Sequence, residues 1–206
     1  MLDTSQRHSP ERSLAPMGRV PTARASTEQS LLAGWRNGLS ILNLRGNPDD
    51  AAFRDGVSQA LGLALPTQAC TTVANDTHRL VWVGPDDWFV IGAKGKAATI
   101  EARLRQALAG QHFAVTDVSS GYTVLHLSGQ PVREVLAQGC PLDLHPKVFG
   151  PGSAAGSVFF KTSVWLWQTE AAPVYEVLVR NSFQRYVWLM LESCTPECGL
   201  VVRRFP

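Results

Sequence analysis

Two stretches, Leu42-Asn43-Leu44-Arg45-Gly46-Asn47-Pro48 and Leu125-His126-Leu127-Ser128-Gly129-Gln130-Pro131, carry one pattern: L-x-L-x-G-x-P. In each, alternating apolar residues make a strand, and a Gly and Pro turn starts a helix. Working outward from the first copy, the spacing predicts a strand over 40–45, a helix over about 50–61 ended by Gly62, and a hairpin of 79–83 with 88–91 around Gly84-Pro85-Asp86-Asp87. A helix over 97–109, with Ile100, Leu104 and Leu108 on one face, and a strand over 113–117 complete the set. From the second copy the order repeats: strand 122–127, a helix ending at Gly139, a strand within 157–168, its partner 174–179, a helix over about 183–193 and a last strand at 200–203. Each half therefore reads β-α-β-β-α-β, the split order of ferredoxin-like modules. The expected fold class is α+β, two tandem ferredoxin-like modules (39–118 and 122–204) packed together so that each sheet covers an apolar face. Residues 35–206 form the folded domain. Residues 1–34, rich in Ser, Thr, Arg and Pro and without apolar period, read as a mobile tail.

Composition narrows the function classes. A formal net charge of +2 with no Lys/Arg run gives no footprint for nucleic acid. The longest apolar runs, such as 187–191, fall far short of the ~20 residues that cross a bilayer, and the N-terminus lacks a secretory apolar core. Four cysteines, 70, 140, 194 and 198, make no disulfide scaffold in a chain of 206 residues, so the expected compartment is the cytoplasm. Only 17% of residues are charged, below the ~25% of an ordinary domain, and there are six Trp. Trp82, Trp165, Trp167 and Trp188 are then candidates for an apolar partner face, some of them filling the core.

Candidate chemistry is sparse. Cys194-x-x-x-Cys198 lacks two further ligands for a tetrahedral metal site, because Cys70 and Cys140 are distant and His8, His78, His112, His126 and His145 stand singly. No dinucleotide, Walker or zinc-protease motif occurs. The loop Gly150-Pro151-Gly152, with Gly156 beyond it, loses a donor at its proline. Ser128-Gly129 reads as a cap, and Ser119-Ser120-Gly121 has no base beside it. Asp86 and Asp87 point apart in their turn. Asp143-x-His145 could orient an imidazole but has no nucleophile, and Trp165-x-Trp167 shares one strand face. The expectation is no catalytic, cofactor-binding or metal residue on this chain.

LNLRGNPDDAAF (42–53), VGPDDWFVIG (83–92), DVSSGYTVLHLSG (117–129), QGCPLDLHPKVFGPG (138–152) and SFQRYVWLMLE (182–192) together resemble the gamma subunit of heterotetrameric sarcosine oxidase. The DVSSG…LSG portion is shared more widely with the folate-binding aminomethyltransferase (glycine-cleavage T-protein) group. The resemblance implies a non-catalytic subunit of a complex that oxidises sarcosine to glycine and hydrogen peroxide and passes the one-carbon unit to tetrahydrofolate. It implies FAD, FMN, NAD and zinc on other subunits, and alpha, beta and delta subunits as partners, alpha most directly. The T-protein group carries an acid on a second-half strand where this chain has Lys161-Thr162-Ser163-Val164-Trp165, so little or no folate binding is expected. Two alternatives stay open: a free-standing folate-dependent aminomethyltransferase-like protein, and an accessory module of another amine-oxidising flavoenzyme.

Overall fold

A computed structural model describes residues 29–205. Eleven strands and four α-helices follow in chain order: β1 (Leu31–Arg36), β2 (Ser40–Gly46), α1 (Ala51–Leu61), β3 (Thr72–Ala74), β4 (His78–Gly84), β5 (Asp87–Gly92), α2 (Ala97–Ala107), β6 (Phe113–Asp117), β7 (Tyr122–Ser128), α3 (Val132–Ala137), β8 (Ala154–Phe159), β9 (Thr162–Glu170), β10 (Val174–Arg180), α4 (Gln184–Ser193) and β11 (Leu200–Val202). The first sheet runs β3-β4-β5-β2-β6 and the second β11-β1-β7-β10-β9-β8. The α+β class and the two-module plan hold, as the solved structures compared below bear out.

Period-two alternation sorts each strand between two faces. In β2, β4 and β5, Leu42, Leu44, Leu80, Trp88 and Val90 face α1 and α2, where they meet Phe53, Val57, Ile100, Leu104 and Leu108. Each such buried side chain stabilises the fold by about 1.5–3 kcal/mol. The Trp88 indole N–H donates to the Pro66 carbonyl at 2.8 Å, so this large ring is buried without an orphan donor. In the second sheet Leu31, Trp35, Leu125, Leu127, Tyr175 and Val177 pack on α3 and α4 through Val135, Val187, Trp188 and Leu191. The opposite faces meet each other. Ile41, Val81, Phe89 and Ile91 of the first sheet pack on Val124, Ala154, Trp167 and Leu178 of the second. The molecule is thus four layers, helix, sheet, sheet, helix.

α1 begins where Asp50, extended at φ −77°, accepts from the Ala52 amide at 2.8 Å. It ends at Gly62, whose φ of +67° is a left-handed turn that glycine adopts without strain.

Three sequence readings need correction. The tail boundary at 34 is too late, because Leu31–Arg36 is a strand with Leu31 and Ala33 fully buried; residues 1–28 lie outside the described region. β1 wedges between β7, antiparallel, and β11, parallel, so the N-terminal strand belongs to the sheet of the second half and the halves are not two contiguous blocks. The single strand expected within 157–168 is a hairpin, β8 with β9, turned at Phe160 with φ +52°. A short strand that the sequence reading passed over, β3, lies antiparallel to β4.

Candidate binding site between the two sheets

At one end the sheets part and leave a cavity of about 530 Å³. Its floor is set by strand register. Gly34, His126, Glu176 and Trp167 lie side by side across β1, β7, β10 and β9, all turned toward the first sheet. Arg36 lies two residues along β1, on the same face as Gly34. On β10 the neighbours of Glu176, Tyr175 and Val177, point the other way into the helix-side core, so alternation alone delivers a carboxylate to the inter-sheet space.

Glu176 is 5% exposed, and each of its oxygens has a partner. One oxygen takes the Arg36 guanidinium and the other accepts from the Trp167 indole N–H at 3.0 Å. Arg79 of β4 reaches in from the first sheet. It donates to the Thr72 hydroxyl at 3.3 Å and lies over the Trp167 ring at 5.9 Å from its centroid. Burial lowers its proton affinity, while Glu176 opposes that shift. His126 and His78 also line the space. Burial pushes both below the ordinary histidine value of about 6.5, so both are neutral near pH 7.

The wall beside β1 is the C-terminal segment. The Arg203 amide donates to the Ala33 carbonyl at 2.8 Å, and the Phe205 ring sits 4.6 Å from that of His126. Gly34 makes this passage possible: a Cβ there would lie 2.0 Å from the Arg203 carbonyl oxygen and 2.7 Å from the Phe205 ring.

The residues singled out from sequence are elsewhere. Asp143 accepts from the His145 amide at 2.9 Å rather than from its ring, and the His145 Nδ1 accepts from the Lys147 amide. Asp86 pairs with Arg45 while Asp87 accepts from the Asn43 amide group. Ser119 donates to Asp117 within its own turn. In the glycine loop, Gly152 donates to the Gln168 carbonyl and Gly150 to the Ser153 hydroxyl. Cys194 is buried, which pushes its thiol pKa up, and Cys198 packs against the same core. Among the described residues no three His, Cys, Asp or Glu side chains gather as a metal site. Trp167 and Trp188 are buried and Trp82 and Trp165 half-buried, so these four are mainly core; Val148, Phe183, Leu189 and Val202 are large apolar residues that face solvent instead. Reading the sequence for an acid over 161–165 missed Glu176 one strand later. The available signal was a lone charge inside the otherwise apolar alternation Val174–Val179.

Two ferredoxin-like modules packed sheet to sheet, with the N-terminal strand in the second sheet, define the aminomethyltransferase-type fold. The glycine cleavage system aminomethyltransferase T from Bartonella henselae shares it with a TM-score of 0.63 at 12% identity, over 84% of this chain and 47% of that one. Within that class, the model of the sarcosine oxidase gamma subunit family matches residues 45–197, and the chain belongs to that family. It is 32% identical over 200 residues to the sarcosine oxidase subunit gamma of an Arthrobacter species, covering 94% of each. It is 31% identical over 190 residues to that of Corynebacterium sp. strain P-1, covering 91% of this chain and 90% of the relative. A chain of the heterotetrameric sarcosine oxidase from Corynebacterium sp. U-96, solved in complex with pyrrole 2-carboxylate, superposes with a TM-score of 0.79 at 25% identity, over 91% of this chain and 94% of that one.

Proposed function

We propose that this chain is the gamma subunit of a sarcosine oxidase complex and contributes structure rather than chemistry to it. The observation that carries this reading is likeness along nine-tenths of both chains to proteins named as that subunit, together with the shared fold of the heterotetrameric enzyme. The complex oxidises sarcosine to glycine with formation of hydrogen peroxide and hands the one-carbon unit to tetrahydrofolate. FAD, FMN, NAD and zinc belong to its other subunits, alpha, beta and delta, of which alpha is the most direct neighbour. Four unpaired thiols accord with a cytoplasmic setting.

A free-standing folate-dependent enzyme is the weaker reading. A pterin ring needs a carboxylate open to its N–H groups, and Glu176 is buried between the sheets and already holds the Arg36 guanidinium and the Trp167 indole N–H. Among the described residues, exposed Val148, Val158, Phe183, Leu189 and Val202 are the large apolar groups available to a partner. Expressed alone, the chain self-associates and makes no peroxide from sarcosine. Co-expressed with the large flavoprotein subunits, it is soluble and enters the complex at one copy. Native mass spectrometry with a peroxide assay on both preparations checks this. A well-behaved monomer that ignores the flavoprotein, or one that turns over sarcosine unaided, overturns it.

A further inference from the structure

The inter-sheet cavity has an unbalanced charge at its inner end. Two guanidinium groups, Arg36 and Arg79, share it with one carboxylate, Glu176, and Glu176 is bonded to Arg36. Arg79 makes none of the three ion pairs found among the described residues; its contacts are a neutral hydroxyl and the face of an indole. The other carboxylates that line the space, Asp76 and Glu170, are exposed at the rim, where water and salt screen them. A half-buried cation without a carboxylate, at the end of a concave space, is an anion receptor. The volume falls within the range of small-molecule pockets, and Leu39, Val174 and the Phe205 ring give the remaining wall an apolar character.

We propose that this cavity binds a small organic carboxylate, its oxygens on the Arg79 guanidinium and its apolar body against Leu39, Val174 and Phe205. Trp167 holds the guanidinium from behind, and the Arg36–Glu176 pair keeps the acid of the pocket from repelling the ligand. The strap through Phe205 closes one side, and Gly34 is the residue that lets it lie so close.

The test uses the full chain, with ¹⁹F line broadening of 4-fluorobenzoate and 4-fluorobenzamide, probes of equal size that differ in charge. The carboxylate is expected to bind at least about tenfold more tightly, the low end of what a hydrogen bond to a charged group is worth. Arg79→Gln abolishes that preference, and Arg45→Gln, on the exposed Asp86 pair, leaves it intact. Should Arg79→Gln fail to fold, Phe205→Ala serves in its place: it weakens both probes alike and keeps the charge preference. Equal binding of the two probes, no binding of the carboxylate, or a preference that survives Arg79→Gln in a folded chain overturns the proposal. Carboxylate binding to the free chain that vanishes in the assembled complex would mean that a partner's acidic side chain fills the pocket, and that too overturns a small-molecule ligand.

Discussion

At the scale of single residues, Glu176 concentrates most of the polar energetics of the inter-sheet space. A carboxylate that is 5% exposed persists only where it is paired and hydrogen-bonded, and it has both an ion pair to Arg36 and the Trp167 indole N–H. The Arg36 side chain retains 38% exposure, so the pair is worth less than a fully buried one. Glu176→Gln keeps an oxygen for the Trp167 N–H but loses the charge and turns an amide NH2 toward the Arg36 guanidinium; it is expected to cost about 1–2 kcal/mol. Glu176→Leu strands the indole donor as well as the Arg36 guanidinium and is expected to cost about 3 kcal/mol or more. Urea-unfolding midpoints of the two variants separate these contributions. Equal costs would show that the indole hydrogen bond contributes nothing.

At the scale of elements, the sequence spoke most clearly where one period dominates. α1 and α2 were legible because Asp50, Gly62 and the Ile100, Leu104, Leu108 spacing are local signals. β2, β5, β7 and β10 were legible because their alternation runs over five or more residues. β1 was not: Leu31–Arg36, with sequence LLAGWR, has a glycine at its centre and only Trp35 as a strong strand former, and its burial depends on strands far along the chain. Its glycine is explained by the C-terminal segment that crosses it, the Arg203 carbonyl first and then the Phe205 ring. The cavity stayed hidden for the same reason: register across β1, β7 and β10 aligns Arg36, His126 and Glu176, and the packing of the first sheet on the second brings Arg79 to them. Position sets the consequence of truncation. β1 supplies hydrogen bonds to β7 on one side and β11 on the other, with Leu31, Ala33 and Trp35 in the core. A chain starting at residue 37 would expose both neighbours and is expected to lose its cooperative thermal transition. One starting at residue 29 keeps that transition within ~5 °C, roughly 1–2.5 kcal/mol for a chain of this length. Circular-dichroism melts of both decide it, and a cooperative transition in the shorter chain would contradict the central place of β1.

At the scale of the whole molecule, the four layers bury apolar surface on three levels, and the inter-sheet level is the one that brings histidine, arginine and glutamate side chains together. His126 faces Glu176, Glu170, Arg36 and Arg203, and His78 lies near Arg103 and the Leu61 carbonyl; burial is the leading cause that holds both below the ordinary value of about 6.5. Below that value the unfolded chain takes up protons that the folded chain resists. Stability is therefore complete above about pH 6.5 and falls as the pH drops toward the lowered folded values. The direction is fixed by proton counting: more protons on the unfolded chain means that added acid favours unfolding. The melting temperature is expected to be flat from about pH 8 to 7 and to decline as the pH falls below about 6.5. His126→Gln removes one of the two linked sites and is expected to flatten part of that decline, while His112→Gln, on an exposed loop residue, leaves it unchanged. Melting curves across that range for the three proteins provide the check. A decline of the same steepness in His126→Gln would assign the acid sensitivity to His78 or to groups outside the inter-sheet layer.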